Sequence, residues 1–359
     1  MWYKTKITDI LNIRYPILQG PFGGGLSSVE LVAAVSNLGG LGGYGAYTMS
    51  VQDIYELDKK LKAVTNKPYN LNLWVSDTDA IQGTVNDAHY DRVRAQFKPY
   101  FDAAGIELPA KPAPFKSRFE DQVQVMLDIR PQVLSFVFGI PSADIIEACH
   151  KRGMKLIGAA TTLDEAIALE NADIDMIIAS GFEAGGHRPS FLASAEQSTT
   201  GTFVLLQLIK EKVHVPVIAA GGIANGRGIA AALTLGADAV QIGTAFLACD
   251  ESAAVPAHKA ALFSDRAKYT MLSRAHTGRL GRGLSTALAK DMIGKENNIL
   301  PFPLQTTFMS TLRKAALEQQ KEEMVFFWGG QIAPLVKHKK AADLMQSLIA
   351  ETSAVLSKK

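Results

Sequence analysis

The residue types best suited to chemistry fall in one short run, Ser180-Gly181-Phe182-Glu183-Ala184-Gly185-Gly186-His187-Arg188. It combines a carboxylate, an imidazole and a guanidinium with a high density of glycine. It also directly follows Asp175–Ser180, an apolar stretch of strand type. An imidazole can donate, accept or carry charge near neutral pH, which makes His187 the candidate for proton handling. The glycine pair ahead of it lets the backbone approach a flat ligand. Arg188 adds positive charge beside it but is read as non-catalytic. His89, His150, His214, His258, His276 and His338 have no comparable setting.

A second run, Val215–Thr244, carries the pattern of a phosphate site. Val217–Ala220 reads as a strand ended by Gly221-Gly222. Asn225 caps a helix over Ile229–Leu235, Gly236 stops it, and Ala239–Ile242 is a second strand ended by Gly243 and Thr244. A strand, helix and strand within about 30 residues form a parallel βαβ unit with a short crossover. The two glycine turns then lie side by side at the C-terminal ends of neighbouring strands. Their bare N–H groups are expected to face a phosphate there, as in the last two units of a TIM barrel, the alternative being two ordinary tight connections.

Stepping along the chain, eight strands are expected: Pro16–Gln19, Leu41–Tyr47, Tyr69–Val75, Val133–Phe138, Lys155–Ala160, Asp175–Ser180, Val217–Ala220 and Ala239–Ile242. Helices between them start at Ser27 (with Glu30), Ser50, Ser142 and Thr162 (with Glu165), where short hydroxyl side chains cap the first turn. The even pitch predicts an α/β fold, a TIM (β/α)8 barrel, rather than an open doubly wound sheet. No G-x-G-x-x-G sits between a strand and a helix with an acid downstream, so a Rossmann site is not indicated. The second strand is weak because of its glycines, and something bulky is expected close to its backbone. On the third strand Asn70 and Asn72 share one face, with Asn72 either a satisfied core amide or an amide aimed at a polar ligand.

The barrel core is assigned to residues 1–250, interrupted by an inserted loop at 76–115 with a helix near Tyr90–Ala104. Residues 251–325 read as a smaller helical subdomain over the barrel mouth, with helical stretches at Phe246–Lys259 and Thr311–Glu323. Residues 326–359 return to the barrel, and their Phe326, Phe327 and Trp328 are read as core packing more than pocket lining. The chain has 359 residues, 47% hydrophobic and 20% charged, with a net charge of +2, which gives no electrostatic case for nucleic acid or an anionic membrane. Cys149 and Cys249 lack any metal or redox spacing, so no metal is expected and free thiols in a reducing cytosol are. With no signal-peptide core and no long apolar run, a cytoplasmic protein without a membrane span is expected.

Taken together, these segments resemble the class I nitronate monooxygenases, FMN-dependent TIM barrels. The resemblance rests on Ile17-Leu18-Gln19-Gly20-Pro21-Phe22, Asn72, Glu183-Ala184-Gly185-Gly186-His187-Arg188, Ala220-Gly221-Gly222-Ile223 and Gln241-Ile242-Gly243-Thr244. Further on it includes Thr277-Gly278-Arg279, Arg282-Gly283-Leu284, Pro301-Phe302-Pro303-Leu304-Gln305 and Gly330-Gln331. It departs at Phe22, where family members often have Met, and at Ser180, where many have Gln. The resemblance implies flavin contacts from Gly20, Pro21, Phe22, Asn72, Ser180, Gly185 and Gly186. It implies a phosphate site at Gly221, Gly222, Gln241, Ile242, Gly243 and Thr244, with His187 beside the substrate. The implied partners are an alkyl nitronate and O₂, in a monomer or homodimer. Two alternatives stay open: an NAD(P)H-dependent flavin reductase (an enoyl-acyl-carrier-protein or quinone reductase), and a non-redox phosphate-binding barrel.

Overall fold

A computed structural model describes residues 1–79 and 85–357; positions 80–84 of the expected inserted loop and 358–359 of the C-terminal segment lie outside the described residues. Six parallel strands come first: β1 (Ile17–Gln19), β2 (Gly42–Gly45), β3 (Tyr69–Trp74), β4 (Val133–Val137), β5 (Lys155–Ala160) and β6 (Met176–Ser180). A two-residue strand outside the barrel, β7 (Gly186–His187), precedes the last two barrel strands, β8 (Val217–Ala220) and β9 (Ala239–Ile242). The order around the barrel is β1-β9-β8-β6-β5-β4-β3-β2. It closes where Leu18 bridges Leu41, with Gln19 N–H donating to the Leu41 carbonyl at 2.9 Å and Leu41 N–H to the Ile17 carbonyl at 3.0 Å.

Strict alternation along each strand builds two apolar layers. Leu18, Ile157, Ala159, Met176, Ile178, Ile218, Ala220 and Ala239 cluster inside the barrel with Ile7, Leu11 and Ile13, so the first helix, Lys6–Leu11, packs against the barrel interior. Ile17, Leu71, Leu73, Leu134, Phe136, Ile177, Val217, Val240 and Ile242 face outward into the helices. Each fully buried Leu or Ile stabilises the fold by about 1.5–3 kcal/mol, so a one-residue slip of any strand would invert both layers.

Several local expectations are corrected. The helix Val29–Asn37 is capped by Ser28, whose hydroxyl accepts the Leu31 N–H at 2.9 Å. Ser27 instead closes the first βα loop, accepting from Phe22 N–H at 3.0 Å and donating to the Phe22 carbonyl at 2.9 Å. Thr162 does cap the Glu165 N–H, but the buried Glu165 carboxylate turns inward. There it collects donors from Thr161, Phe191 and Leu192. The close neighbour of the second strand is protein backbone: a Cβ on Gly42 would lie 2.2 Å from the Val32 carbonyl oxygen, and one on Gly45 2.5 Å from that of Phe22.

Residues 251–325 hold the helices Pro256–Leu262, Ala287–Asp291 and Leu304–Glu318. The single helix expected over Phe246–Lys259 is two pieces, Thr244–Leu247 and Pro256–Leu262, with Pro256 opening the second where its missing N–H costs nothing. The helix expected at Thr311–Glu323 starts earlier, after Pro303, because its buried stripe begins at Leu304. An antiparallel hairpin, β10 (Thr270–Ser273) and β11 (Gly281–Leu284), also lies in this segment, and its Arg- and Gly-rich composition hid it. The helix Asp87–Ala103 of the inserted loop packs on Leu304–Glu318, with Phe97 and Phe101 ring centroids 5.6 and 5.4 Å from that of Phe308. The final helix, Ala341–Leu356, docks on Gly226–Thr234, where Glu351 accepts the Gly226 N–H at 2.9 Å.

Candidate active site

The loop after β6 is fixed from both ends. Arg188 is buried and donates to the carbonyls of Ser180 (3.2 Å), Gly181 (2.6 Å) and Ser198 (2.7 Å). Burial, and then the neighbouring Arg282, pull its ionisation down to about 10, so it stays charged at neutral pH and works as a clamp on backbone. Glu183 accepts from the Thr202 N–H at 2.9 Å and from its hydroxyl at 3.1 Å, anchoring the loop to the helix Thr202–Lys210. Gly185 abuts the chain at Gly329-Gly330, where a Cβ would come within 2.5 Å of the Gly330 nitrogen. Gly186 has φ +86 and open space where a side chain would be, so only glycine fits without strain.

From Gly186 the chain becomes β7, which pairs antiparallel with β11: Gly281 opposite His187 and Arg282 opposite Gly186. Arg188 N–H extends the pairing to the Leu280 carbonyl at 2.9 Å. The β10–β11 hairpin therefore sets the height and rotation of His187. Its ring is half-buried and surrounded by Trp328 (centroids 4.7 Å apart), Trp74 (5.5 Å), Phe302 (6.0 Å) and Phe138 (6.4 Å). Nε2 lies 2.8 Å from the Thr277 hydroxyl. Burial, then the guanidinium groups of Arg279 and Arg274, push its pKa down to about 3, so His187 is neutral at physiological pH.

Arg279 lies against the same rings, its guanidinium carbon 4.1 Å from the Phe138 centroid, 4.6 Å from Phe302 and 5.5 Å from Trp74. Its Nε donates to Asp79 at 2.9 Å, and the other Asp79 oxygen accepts the Phe302 N–H at 2.9 Å. Its Nη1 is buried and makes no hydrogen bond among the described residues. It is held by ring faces, the geometry of a cation–π contact. Phe138 takes φ +62, a left-handed conformation that an aromatic residue rarely adopts. Strain of this kind, about 1–3 kcal/mol, persists where surrounding packing demands it.

The other side of the mouth is built from glycine. Barrel closure places Gly20 beside Gly243, with a Gly20 Cβ 3.5 Å from the Gly243 Cα and the Gly20 N–H donating to the Ile242 carbonyl at 2.9 Å. Pro21 follows against the backbone of Gly43, and Phe22 bridges to Tyr44 with its ring beside Gly243. At Gly222 (φ +70) the nearest atom to an added Cβ is 3.9 Å away, and at Gly243 it is the Phe22 ring at 3.9 Å. Two neighbouring strand ends thus leave space beside their glycines that a side chain would occupy. Gly221 packs instead on Thr202 and Ala184. The Gln241 Oε1 is buried without a partner among the described residues. The Thr244 hydroxyl accepts the Gly330 N–H at 2.9 Å, which ties this side to the C-terminal segment.

The remaining sequence candidates fall less evenly. Ile242 buries its side chain in the helix layer, so only its backbone reaches the mouth. Ser180 is buried at the end of β6. Asn72 directs its amide N–H groups to Ser135, at 3.2 Å to the carbonyl and 3.0 Å to the hydroxyl, leaving its Oδ1 as the free valence. Thr277, Arg279, Asp79, Trp74, Phe138 and Phe302 were not anticipated in the cage. The available signal was an aromatic residue at the end of the third and of the fourth strand. Phe326, Phe327 and Trp328 divide: Phe327 is core, while Trp328 faces His187. Each of the three also carries a histidine, His276 stacked on Phe326 at 5.0 Å and His258 on Phe327 at 4.9 Å.

Cys149 and Cys249 are buried and free. Among the described residues no group of three His, Cys, Asp or Glu side chains could hold a metal, and no helix is long and apolar enough to cross a membrane.

Residues 4–351 match a family model described as nitronate monooxygenase. A Staphylococcus haemolyticus protein named "Probable nitronate monooxygenase" is 37% identical over 359 residues, covering 99% of this chain and 99% of that one. The structure of a nitroalkane oxidase from Streptomyces ansochromogenes aligns with TM-score 0.89 at 33% identity, over 98% of this chain and 99% of the other. FabK from Thermotoga maritima aligns with TM-score 0.76 at 29% identity, over 99% and 98%.

Proposed function

The chain belongs to the nitronate monooxygenase family of flavin-dependent TIM barrels, and from that premise we propose that it uses FMN to oxidise alkyl nitronates with O₂, giving a carbonyl compound and nitrite. The observation that carries this reading is the cage: a neutral imidazole and a guanidinium held against the same aromatic rings at the C-terminal end of the barrel. The buried Nη1 of Arg279, unpaired among the described residues while its Nε is bound to Asp79, leaves a charged donor for an anion, and a nitronate is a small planar anion. His187 orients it and takes the α-proton when the substrate arrives as the neutral nitroalkane. The rings cover the buried Arg279, so its charge acts with little screening.

The residues present fit FMN. The opening at Gly222 and Gly243, with Thr244 beside it, would hold the phosphate. Gly20, Pro21 and Phe22 would border the ring system, Gly186 would leave room for its edge, and the unpaired Gln241 oxygen and the Asn72 Oδ1 would meet its polar atoms. When bound, FMN supplies the electron acceptor and the route to O₂. The likeness to FabK keeps a second reading in view, a flavin reductase fed by NAD(P)H. Turnover separates them. Ethylnitronate should consume O₂ and release nitrite; nitrite-free protein that oxidises NADPH would support the reductase instead.

A further inference from the structure

The nitrogen that His187 shows to a substrate depends on its hydrogen-bond partner. The Thr277 hydroxyl donates its single proton to the Arg279 carbonyl at 3.1 Å. Toward His187 Nε2, 2.8 Å away, it has only a lone pair left to offer. A neutral imidazole meets that lone pair with an N–H. The second ring nitrogen, Nδ1, is then bare, and it has no hydrogen-bond partner among the described residues. Thr277 is buried, and the pairing of Gly281 with His187 fixes the backbone beneath the ring, so neither partner has room to rotate away.

We propose that Thr277 is a positioning residue that locks His187 as its Nε2–H tautomer and so makes Nδ1 the atom that meets substrate. This rests on the nitronate reading and narrows it. A bare Nδ1 presents the lone pair that can accept a proton, which fits a neutral carbon acid as a substrate. In that step the C–H bond next to the nitro group breaks and its proton passes to Nδ1. The electron pair stays on the substrate and spreads into the nitro group, giving the nitronate within the site that oxidises it. No oxidant takes part. The charges of Arg279 and Arg274 oppose an imidazolium at His187, and the nitronate charge formed in the same step offsets them.

Two measurements on the flavin-loaded protein test this. In protein labelled with ¹⁵N-histidine, the His187 signal is assigned by its loss in His187→Asn, and its ring nitrogens should report the Nε2–H tautomer. The Nδ1–H tautomer would overturn the proposal. In Thr277→Val, kcat/KM on neutral nitroethane should fall by about 10²-fold, the scale of a mispositioned general base, and at least tenfold more than on preformed ethylnitronate. Thr277→Ser should restore the discrimination. Equal losses on both substrates, or no recovery with serine, would mark Thr277 as merely structural. If the parent enzyme consumes neither substrate, the nitronate reading falls, while the tautomer signal still decides the inference.

Discussion

Lowering the pH from 7 to 5 should destabilise the protein through three histidines. Three consecutive aromatic residues, Phe326, Phe327 and Trp328, each lie against a histidine: His276, His258 and His187. All three imidazoles are held neutral. Burial, then cationic neighbours, take His187 and His276 down to about 3, and burial takes His258 to about 4 against the opposing hydrogen bond to the Trp328 carbonyl. In the unfolded chain a histidine titrates near 6.5. Between that value and the folded one, the unfolded state binds protons that the native state refuses. The stabilisation is therefore complete above about pH 6.5 and drains away as pH falls toward the folded values. At pH 5 each histidine costs about 2 kcal/mol relative to pH 7, and the three together about 5–6 kcal/mol. That is comparable to the whole stability of many domains. Carboxylates with lowered pKa act below this window and do not mask it. Urea unfolding followed by near-ultraviolet circular dichroism at pH 7, 6 and 5, with linear extrapolation, measures it. A stability unchanged within about 1 kcal/mol over that range would refute the claim that these imidazoles are held neutral.

Other expectations are more local. Gly222→Val and Gly243→Val fill the opening at the strand ends and should yield folded, colourless protein; if both purify yellow at full occupancy, the phosphate site lies elsewhere. Heat should release FMN and not FAD on chromatography, since the proposed site offers one phosphate cradle and the sequence carries no dinucleotide fingerprint. Glu165→Gln puts an amide among donors that a buried carboxylate now satisfies, and should cost about 2–4 kcal/mol by thermal or urea unfolding; a loss under about 0.5 kcal/mol would mean those contacts are not formed together. His187→Leu should keep its flavin and turn over neither nitronate nor nitroalkane at the parent rate, whereas His187→Asn should retain more activity on the nitronate.

Much of the barrel was legible because its signals are local and periodic. The apolar run at Asp175–Ser180 and the glycine stops after Val217–Ala220 and Ala239–Ile242 fixed strand positions to within a residue or two. The ring of strands also brought Gly20 to Gly243 without needing any side-chain detail. Where prediction failed, a competing partner decided. Ser27 and Ser28 are equivalent as sequence, and the loop turning at Phe22 claimed Ser27. The strand β11 was hidden because Gly281 and Gly283 give no strand propensity. They are glycine because Trp328 and Phe326 ring atoms approach to 2.7 Å of where a Cβ would sit. The cage was invisible for a different reason. Trp74, Phe138, Arg279, Phe302 and Trp328 come from five distant parts of the chain, and each alone reads as ordinary core or surface. Only barrel closure and the β7–β11 pairing show that they converge on His187.

The most direct test of the central claim is anaerobic stopped-flow mixing of the flavin-loaded protein with ethylnitronate and, separately, with NADPH, recording the flavin absorbance. Ethylnitronate should cause rapid loss of the oxidised flavin spectrum, with recovery and nitrite release when O₂ is admitted, and NADPH should cause no comparable change. Full bleaching by NADPH with no response to ethylnitronate would contradict that claim.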